Sequence, residues 1–298
     1  MITTARTAEE AMVSLFGENT RETSRRSVSG GCISRASLLC TSGGEQIFLK
    51  ENDNTLEGMF AAEARGLTAL HEASSRVNGP RIPEPLAVGS DGRSQFILMT
   101  YIAPGRPGPG YEEAFGRAFA ALHRDGFERR FGFFEDNFIG ATPQPNAWSD
   151  DWTAFFGRYR LGFQCELAIH DRVAPGSLIR DVERLIQRLD EFLPDSPAPA
   201  LLHGDLWSGN AMTDASGGPV LIDPAAYYGH NEADLAMTEL FGGFPDRFYD
   251  AYNEVLPIPP EYRHTRRHIY GLYHILNHIH LFGASYVSRA SSMLRAIL

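Results

Sequence analysis

Lysine is almost missing from this chain. Of 27 lysine and arginine side chains among 298 residues, Lys50 alone is a lysine. Cysteine is scarce as well: Cys32, Cys40 and Cys165 are too few and too scattered for a disulfide framework or a zinc knuckle. Positive charge is short overall. A net charge of −10 and a pI of about 5.5 argue against nucleic acid or an anionic membrane as partner, and would tolerate or favour cationic substrates. No apolar run approaches membrane-spanning length, and the first residues lack the charged-then-apolar pattern of a secretory signal, so a cytoplasmic location is expected. Internal repeats and low-complexity tracts are absent. What is present, 43% hydrophobic and 21% charged residues, suits a globule with a full core, built as one two-lobed domain or two small ones.

The densest chemistry lies between Leu201 and Asp223. There the chain reads L-L-H-G-D-L-W-S-G-N, a short polar stretch, then V-L-I-D-P. Asp205 and Asn210 are five apart on one loop, and Asp223 closes the next apolar strand. Phosphoryl transfer from ATP needs such parts: a carboxylate to orient the attacking hydroxyl, and an amide oxygen with a second carboxylate to hold Mg2+ against the phosphates. The pattern is similar to the kinase catalytic loop, with Gly204 where protein kinases carry arginine, which points toward small-molecule phosphotransferases. The bland alternative is a turn-forming Asp205 and a capping Asn210.

The lone lysine fits this reading. Lys50 closes the strand-like run Gln46–Lys50 in a chain that otherwise uses arginine. Its compact ammonium on a slim stem suits a buried phosphate contact, which guanidinium does not reproduce. Leu56, Met59, Phe60, Leu67 and Leu70 fall on one helical stripe, and Glu63 shares it. A carboxylate on a buried face is costly unless paired, and Lys50 is the expected partner; a Glu63 that reaches out at the stripe edge is the alternative. Upstream, Gly30 and Gly31 precede the apolar runs that lead to Lys50. They fit a loop whose backbone approaches phosphate closely, or a plain hairpin turn.

The dense prolines and glycines of Ala103–Gly110 mark a linker. They divide a β-rich lobe, residues 1–101, from a mainly helical lobe, residues 102–298. Backbone near Met99 to Ile102, with Met99 and Tyr101 as named candidates, is expected to meet the adenine edge. Past the linker three helical stripes follow: Phe115, Phe119 and Leu122; Trp152, Phe155, Phe156, Tyr159 and Phe163; and Leu178, Val182, Leu185, Ile186 and Leu189. Helices are expected at Ala233–Phe241 and around Phe248–Val255, and one long helical segment from about Glu261 to Arg289. His264, His268, His274, His278 and His280 are read as packed or surface helix residues, since no acidic ligand stands at the motif positions.

Several strings closely resemble the fructosamine kinase (ketosamine-3-kinase) family: His203–Asn210 with Trp207 after the leucine, Asp223–His230 running into Glu232–Phe244, Asp136–Gln144, and Met59–Glu63. The resemblance covers most of the chain from about Val28. It implies an α+β, protein-kinase-like bilobal fold and MgATP-dependent phosphorylation of the sugar 3-hydroxyl of ketosamines, either small molecules or glycated protein amines. The 3-phosphate then decomposes and frees the amine. Carried onto this chain, the resemblance makes Asp205 the base, Asn210 and Asp223 the Mg2+ ligands, and Lys50 with Glu63 the phosphate-setting pair. Trp207 would face the sugar, with His203, Tyr228 and Asp234 as further substrate-side candidates. An aminoglycoside- or choline-like kinase is the alternative, and a pseudokinase binding module a more distant one. Cys32, beside the glycine pair, is either an inert thiol or a redox-sensitive one that could link two chains, so a monomer or a redox-dependent dimer is expected.

Overall fold

A computed structural model describes residues 2–28, 34–53, 56–126 and 128–298. Gly30, Gly31 and Cys32, and with them the proposed phosphate loop, lie outside the described residues.

The first lobe runs β1 (Thr3–Ala5), α1 (Ala8–Phe16), β2 (Glu22–Val28), β3 (Arg35–Thr41), β4 (Gln46–Asp53), α2 (Met59–Val77), β5 (Pro85–Ser90) and β6 (Ser94–Thr100). Its strands form one sheet in the order β1-β5-β6-β4-β3-β2, antiparallel except where β1 runs beside β5. Alternation along β4 divides the two faces. Ile47 and Leu49 turn to one side and pack with Leu98, Ala87 and the helix residues Ala11 and Met12. Phe48 and Lys50 turn to the other, opposite Met99 and Ile97, where α2 brings Phe60, Leu67 and Leu70. The sheet is thus a two-sided wall with α1 behind it and α2 in front. Helix α1, absent from the sequence reading, starts at Thr7, whose hydroxyl accepts the Glu10 amide at 3.1 Å.

The second lobe holds α3 (Tyr111–Arg124), β7 (Asn137–Ile139), β8 (Thr142–Gln144), α4 (Trp152–Phe155), α5 (Phe163–His170), α6 (Gly176–Ile186), β9 (Ala200–Leu202), β10 (Ala211–Thr213), β11 (Pro219–Leu221), β12 (Tyr227–Gly229), α7 (Glu232–Leu240), α8 (Asp246–Val255), α9 (Arg267–Phe282) and α10 (Val287–Ile297). A wide π turn, Phe156–Gly162, joins α4 to α5. The expected single helix from Glu261 to Arg289 is divided: a π turn over Tyr262–Arg266 precedes α9, and Gly283 at φ 85° ends it before α10. The lobes meet through the linker, where the Gly105 amide donates to the Thr213 carbonyl at 2.8 Å. Among the described residues no helix is long and apolar enough to cross a membrane.

Helices α3 and α8 pack closely because Gly116 has no side chain; a Cβ there would collide with the Phe248 carbonyl oxygen. Gly116→Ala should therefore force the pair apart and lower stability by about 1–3 kcal/mol, the usual scale of overpacking, read from urea unfolding.

Two buried histidines make stability depend on pH. His230 is pushed down to about 3 by burial and then by the Arg266 charge, and His274 to about 3 by burial and then by His278. Both are neutral in the folded state and titrate near 6.5 when unfolded, so their contribution is complete above pH 6.5 and is lost as pH falls toward 3. Glutamine cannot take up that proton. Between pH 7.5 and 5.5 the unfolding free energy of wild type should therefore drop relative to His274→Gln by about 1.4 kcal/mol, measured by urea titration at each pH.

Candidate active site

The cleft between the lobes is organised by Lys50. Its Nζ lies 2.7 Å from Glu63 Oε1 on α2 and 3.0 Å from Asp223 Oδ1 at the end of β11. Burial alone would lower the ammonium pKa, but the two carboxylates outweigh it and hold Lys50 well above its ordinary value, so it stays charged. Asp223 sits at φ 55°, a left-handed conformation that aspartate tolerates better than most residues.

Asp205 lies on the neighbouring loop between β9 and β10. Burial, followed by the negative charge of Asp223, pushes its carboxyl up to about 8. A carboxylate with that affinity for protons is matched to taking one near neutral pH. Asn210 holds it in place, its Nδ2 donating to Asp205 O at 2.8 Å and Oδ2 at 3.2 Å. That leaves the Asn210 amide oxygen, with the Asp223 carboxylate, as a hard oxygen donor set of the kind Mg2+ takes. Among the described residues no three His, Cys, Asp or Glu side chains gather as a metal cluster elsewhere.

The loop is shaped from behind. Gly204 has φ 81°, and a Cβ there would run into the Ala225 carbonyl oxygen, so no arginine fits at this position. Asp234 on α7 accepts the backbone amides of His203 at 2.6 Å and Gly204 at 2.8 Å. His123 Nε2 faces the same carboxylate at 3.2 Å while its Nδ1 meets the Tyr252 hydroxyl at 2.8 Å. Burial would raise the Asp234 pKa, but these donors and the nearby imidazoles more than compensate and hold it below the usual range. His203 Nε2 lies 2.9 Å from the Ile222 carbonyl, and its Nδ1 accepts the Asp205 amide at 3.3 Å.

The structure places the four substrate-side candidates as follows. His203 and Asp234 are buried behind the loop and bond to its backbone. Tyr228 packs in a separate aromatic patch with Phe133, Phe134 and Trp148 rather than in the Lys50 cluster. Trp207 is 38% exposed and lies over Gly209, where a Cβ would strike the indole; it remains open on the catalytic loop. Met99 is part of β6, with its side chain in the core, whereas Tyr101 stands just past the last sheet pairing.

Some supporting residues escaped the sequence reading. Asn137 Nδ2 donates to the Ala226 carbonyl at 2.8 Å, and Gln144 Nε2 to that of Ala225 at 3.1 Å, so the Asp136–Gln144 string braces the segment after Asp223. Tyr273 donates to Gln144 Oε1 at 2.7 Å. Arg160 is fully buried without a carboxylate partner among the described residues. Its guanidinium donates to Asn146 Oδ1 and to backbone carbonyls and lies 3.9 Å from the Tyr227 ring centre. The presence of the Asp136–Gln144 string in the sequence was the one available signal for this brace.

Residues 4–298 match the family model described as fructosamine kinase. The chain belongs to the fructosamine kinase family. A Synechocystis protein assigned as a ketoamine kinase is 44% identical over 95% of this chain and 92% of its own. The protein-ribulosamine 3-kinase of Oryza sativa subsp. indica, chloroplastic by name, is 41% identical over 93% of this chain and 80% of its own. A crystal structure from Thermobifida fusca, assigned as a fructosamine-3-kinase, superposes with a TM-score of 0.84 at 32% identity and covers 98% of both chains. A macrolide 2'-phosphotransferase shares the fold alone, with a TM-score of 0.59 at 14% identity over 96% of this chain and 95% of that one. As a fructosamine kinase family member the chain has the α+β bilobal fold of the protein-kinase-like phosphotransferases, and it is an ATP-dependent phosphotransferase.

Lys50→Arg keeps the charge but replaces one compact donor, seated between two carboxylates, with a wider fork. It should cost about 1–3 kcal/mol of transition-state stabilisation, seen as a roughly five- to 150-fold fall in kcat/KM for ATP. Wild-type kcat/KM in this variant would show that the ammonium is interchangeable there.

Proposed function

We propose that this enzyme transfers the γ-phosphoryl group of ATP to the sugar 3-hydroxyl of a ketosamine, a fructosamine or ribulosamine. The reading is carried by the convergence of Lys50, Glu63 and Asp223 within hydrogen-bond distance, beside a loop that presents Asp205 and Asn210. The names of the ketoamine and ribulosamine kinase relatives supply the acceptor class.

Asp205 accepts the proton of the attacking hydroxyl as the new O–P bond forms and the bond to the leaving diphosphate breaks. Lys50 contacts the phosphate oxygens, and Glu63 fixes its direction. Trp207 offers an aromatic plane on which the C–H face of a sugar packs. Asn210 and Asp223 would hold Mg2+, which neutralises charge on the phosphate oxygens. Nucleotide binding also makes use of the backbone at Tyr101 and of the glycine pair Gly30 and Gly31. The acceptor is a small ketosamine or a glycated amine on a protein, met in the cytoplasm, with the enzyme a monomer or a redox-dependent dimer.

Asp205→Asn removes the proton acceptor but leaves the nucleotide contacts in place. Turnover of a ribulosamine, followed by ADP release and by 31P NMR of the sugar phosphate, should fall by about a hundredfold or more while the KM for ATP stays within a few fold. Near-normal turnover in this variant would remove Asp205 as the base. Failure of wild type to phosphorylate any ketosamine would remove the substrate assignment.

A further inference from the structure

A second concavity opens beside the catalytic loop. It has a volume of about 240 Å³ and is walled by Tyr111, Glu112 and Phe115 of α3, by Ser208, and by Phe244 and Phe248. Ser208 follows Trp207 directly and lies three residues past Asp205, so the cavity adjoins the loop that would receive the acceptor. It is smaller than the roughly 300–1,000 Å³ of pockets for drug-sized ligands, a size that suits an alkylamine.

Its walls are aromatic for a structural reason. Gly242 and Gly243 both have positive φ, 101° and 72°, and this double left-handed turn carries the chain from the end of α7 back toward α3. Phe244 is thereby set 5.5 Å from Phe115 and 4.9 Å from Phe248, ring centre to ring centre, with its amide donating to the Tyr249 hydroxyl at 3.2 Å. Glu112, half-buried, is among the lining residues. Its neighbour Glu113 faces Arg247 at 3.6 Å, but Glu112 itself has no hydrogen bond or ion pair among the described residues. An unpaired carboxylate in a cavity lined by aromatic side chains is an arrangement that receives an ammonium and its hydrocarbon chain. A ketosamine carries both, because its C1 is bonded to a protonated secondary amine.

We propose that this cavity is the subsite for the amine half of the acceptor: Glu112 pairs with the ammonium, and Phe115, Phe244 and Tyr111 cover the alkyl chain beyond it. This inference rests on the ketosamine reading of the site. It gives the enzyme a means of distinguishing a glycated amine from a free ketose, and it makes the alkyl chain of the amine part of what is recognised. A glycated lysine on a protein and a free N-alkyl ketosamine share that chemistry.

The test uses a series of 1-alkylamino-1-deoxyfructoses of increasing chain length and the matching 1-O-alkyl fructoses, in which oxygen replaces the ammonium. A glycated-lysine peptide forms the second arm. Wild type should prefer the amine over its oxygen counterpart by about tenfold or more in kcat/KM, the scale of one charge-assisted contact, and should gain with chain length. Glu112→Gln should bring that ratio near one, with the KM for ATP and the melting temperature unchanged, and Phe244→Ala should flatten the chain-length dependence. Gain with the peptide beyond the matched alkyl ketosamine would assign the cavity to protein-bound lysine; equal values would assign it to the free amine. An amine-to-oxygen ratio that Glu112→Gln leaves at the wild-type value overturns the proposal. Hexylammonium binding, followed by saturation-transfer NMR in wild type and Glu112→Gln, separates the two readings. Glu112-dependent binding without ketosamine turnover sinks the acceptor assignment alone. Ketosamine turnover with Glu112-independent hexylammonium binding sinks the subsite alone.

Discussion

One ammonium group sits between two carboxylates that come from opposite lobes, and the cleft depends on it. Glu63 belongs to the helix that packs on the sheet; Asp223 belongs to the strand end beneath it. With Lys50 uncharged or displaced, two carboxylates would face each other across a poorly hydrated gap, where like charges repel strongly. The lysine therefore ties a carboxylate of each lobe to one charge. The single lysine among so many arginines stands where a slim stem reaches two carboxylates at once.

The catalytic loop has little regular structure of its own, and its shape is imposed by polar groups reaching it from distant parts of the chain. Asp234 takes two of its amides, Asn137 and Gln144 take carbonyls of the facing segment, and Gly204 permits the close approach of the two. Every one of these contacts is buried, so each would be costly to leave half made. Preorganisation of this kind is what lets a short loop, with a single 3-10 turn at Ser208–Asn210, hold a carboxylate and an amide oxygen at fixed separation.

Much of the frame was legible because its signals are local. Alternation in Gln46–Lys50 separates Ile47 and Leu49 from Phe48 and Lys50, and the helical stripe through Phe60, Leu67 and Leu70 carries Glu63 to the same side. What escaped has no such signature. Strand β2 is polar and exposed along nearly its whole length, so no periodic pattern marks it. The helix break at Gly283 turns on one residue's φ within an otherwise continuous pattern. His203 and Asp234 stand inside the strings that carry the family resemblance, and that resemblance offered them as substrate-side candidates. Their side chains instead point to backbone amides and carbonyls that only the folded chain brings near. The same holds for His123, Arg160 and Tyr273, whose partners lie far away along the chain.

The closeness of Gly204 to Ala225 has a consequence for control. In protein kinases an arginine occupies the corresponding place, and phosphorylation-dependent switches work by letting arginines capture a new phosphate and order a loop. Here position 204 carries no side chain, and the segment after Asp223 is already held by neutral amides from Asn137 and Gln144. The one guanidinium described against that segment, Arg160, lies over the Tyr227 ring and is already committed to Asn146 and to backbone carbonyls. The brace from Asn137 and Gln144 is made of buried neutral amides, so the shape of this segment follows from folding and does not depend on a charge at position 204.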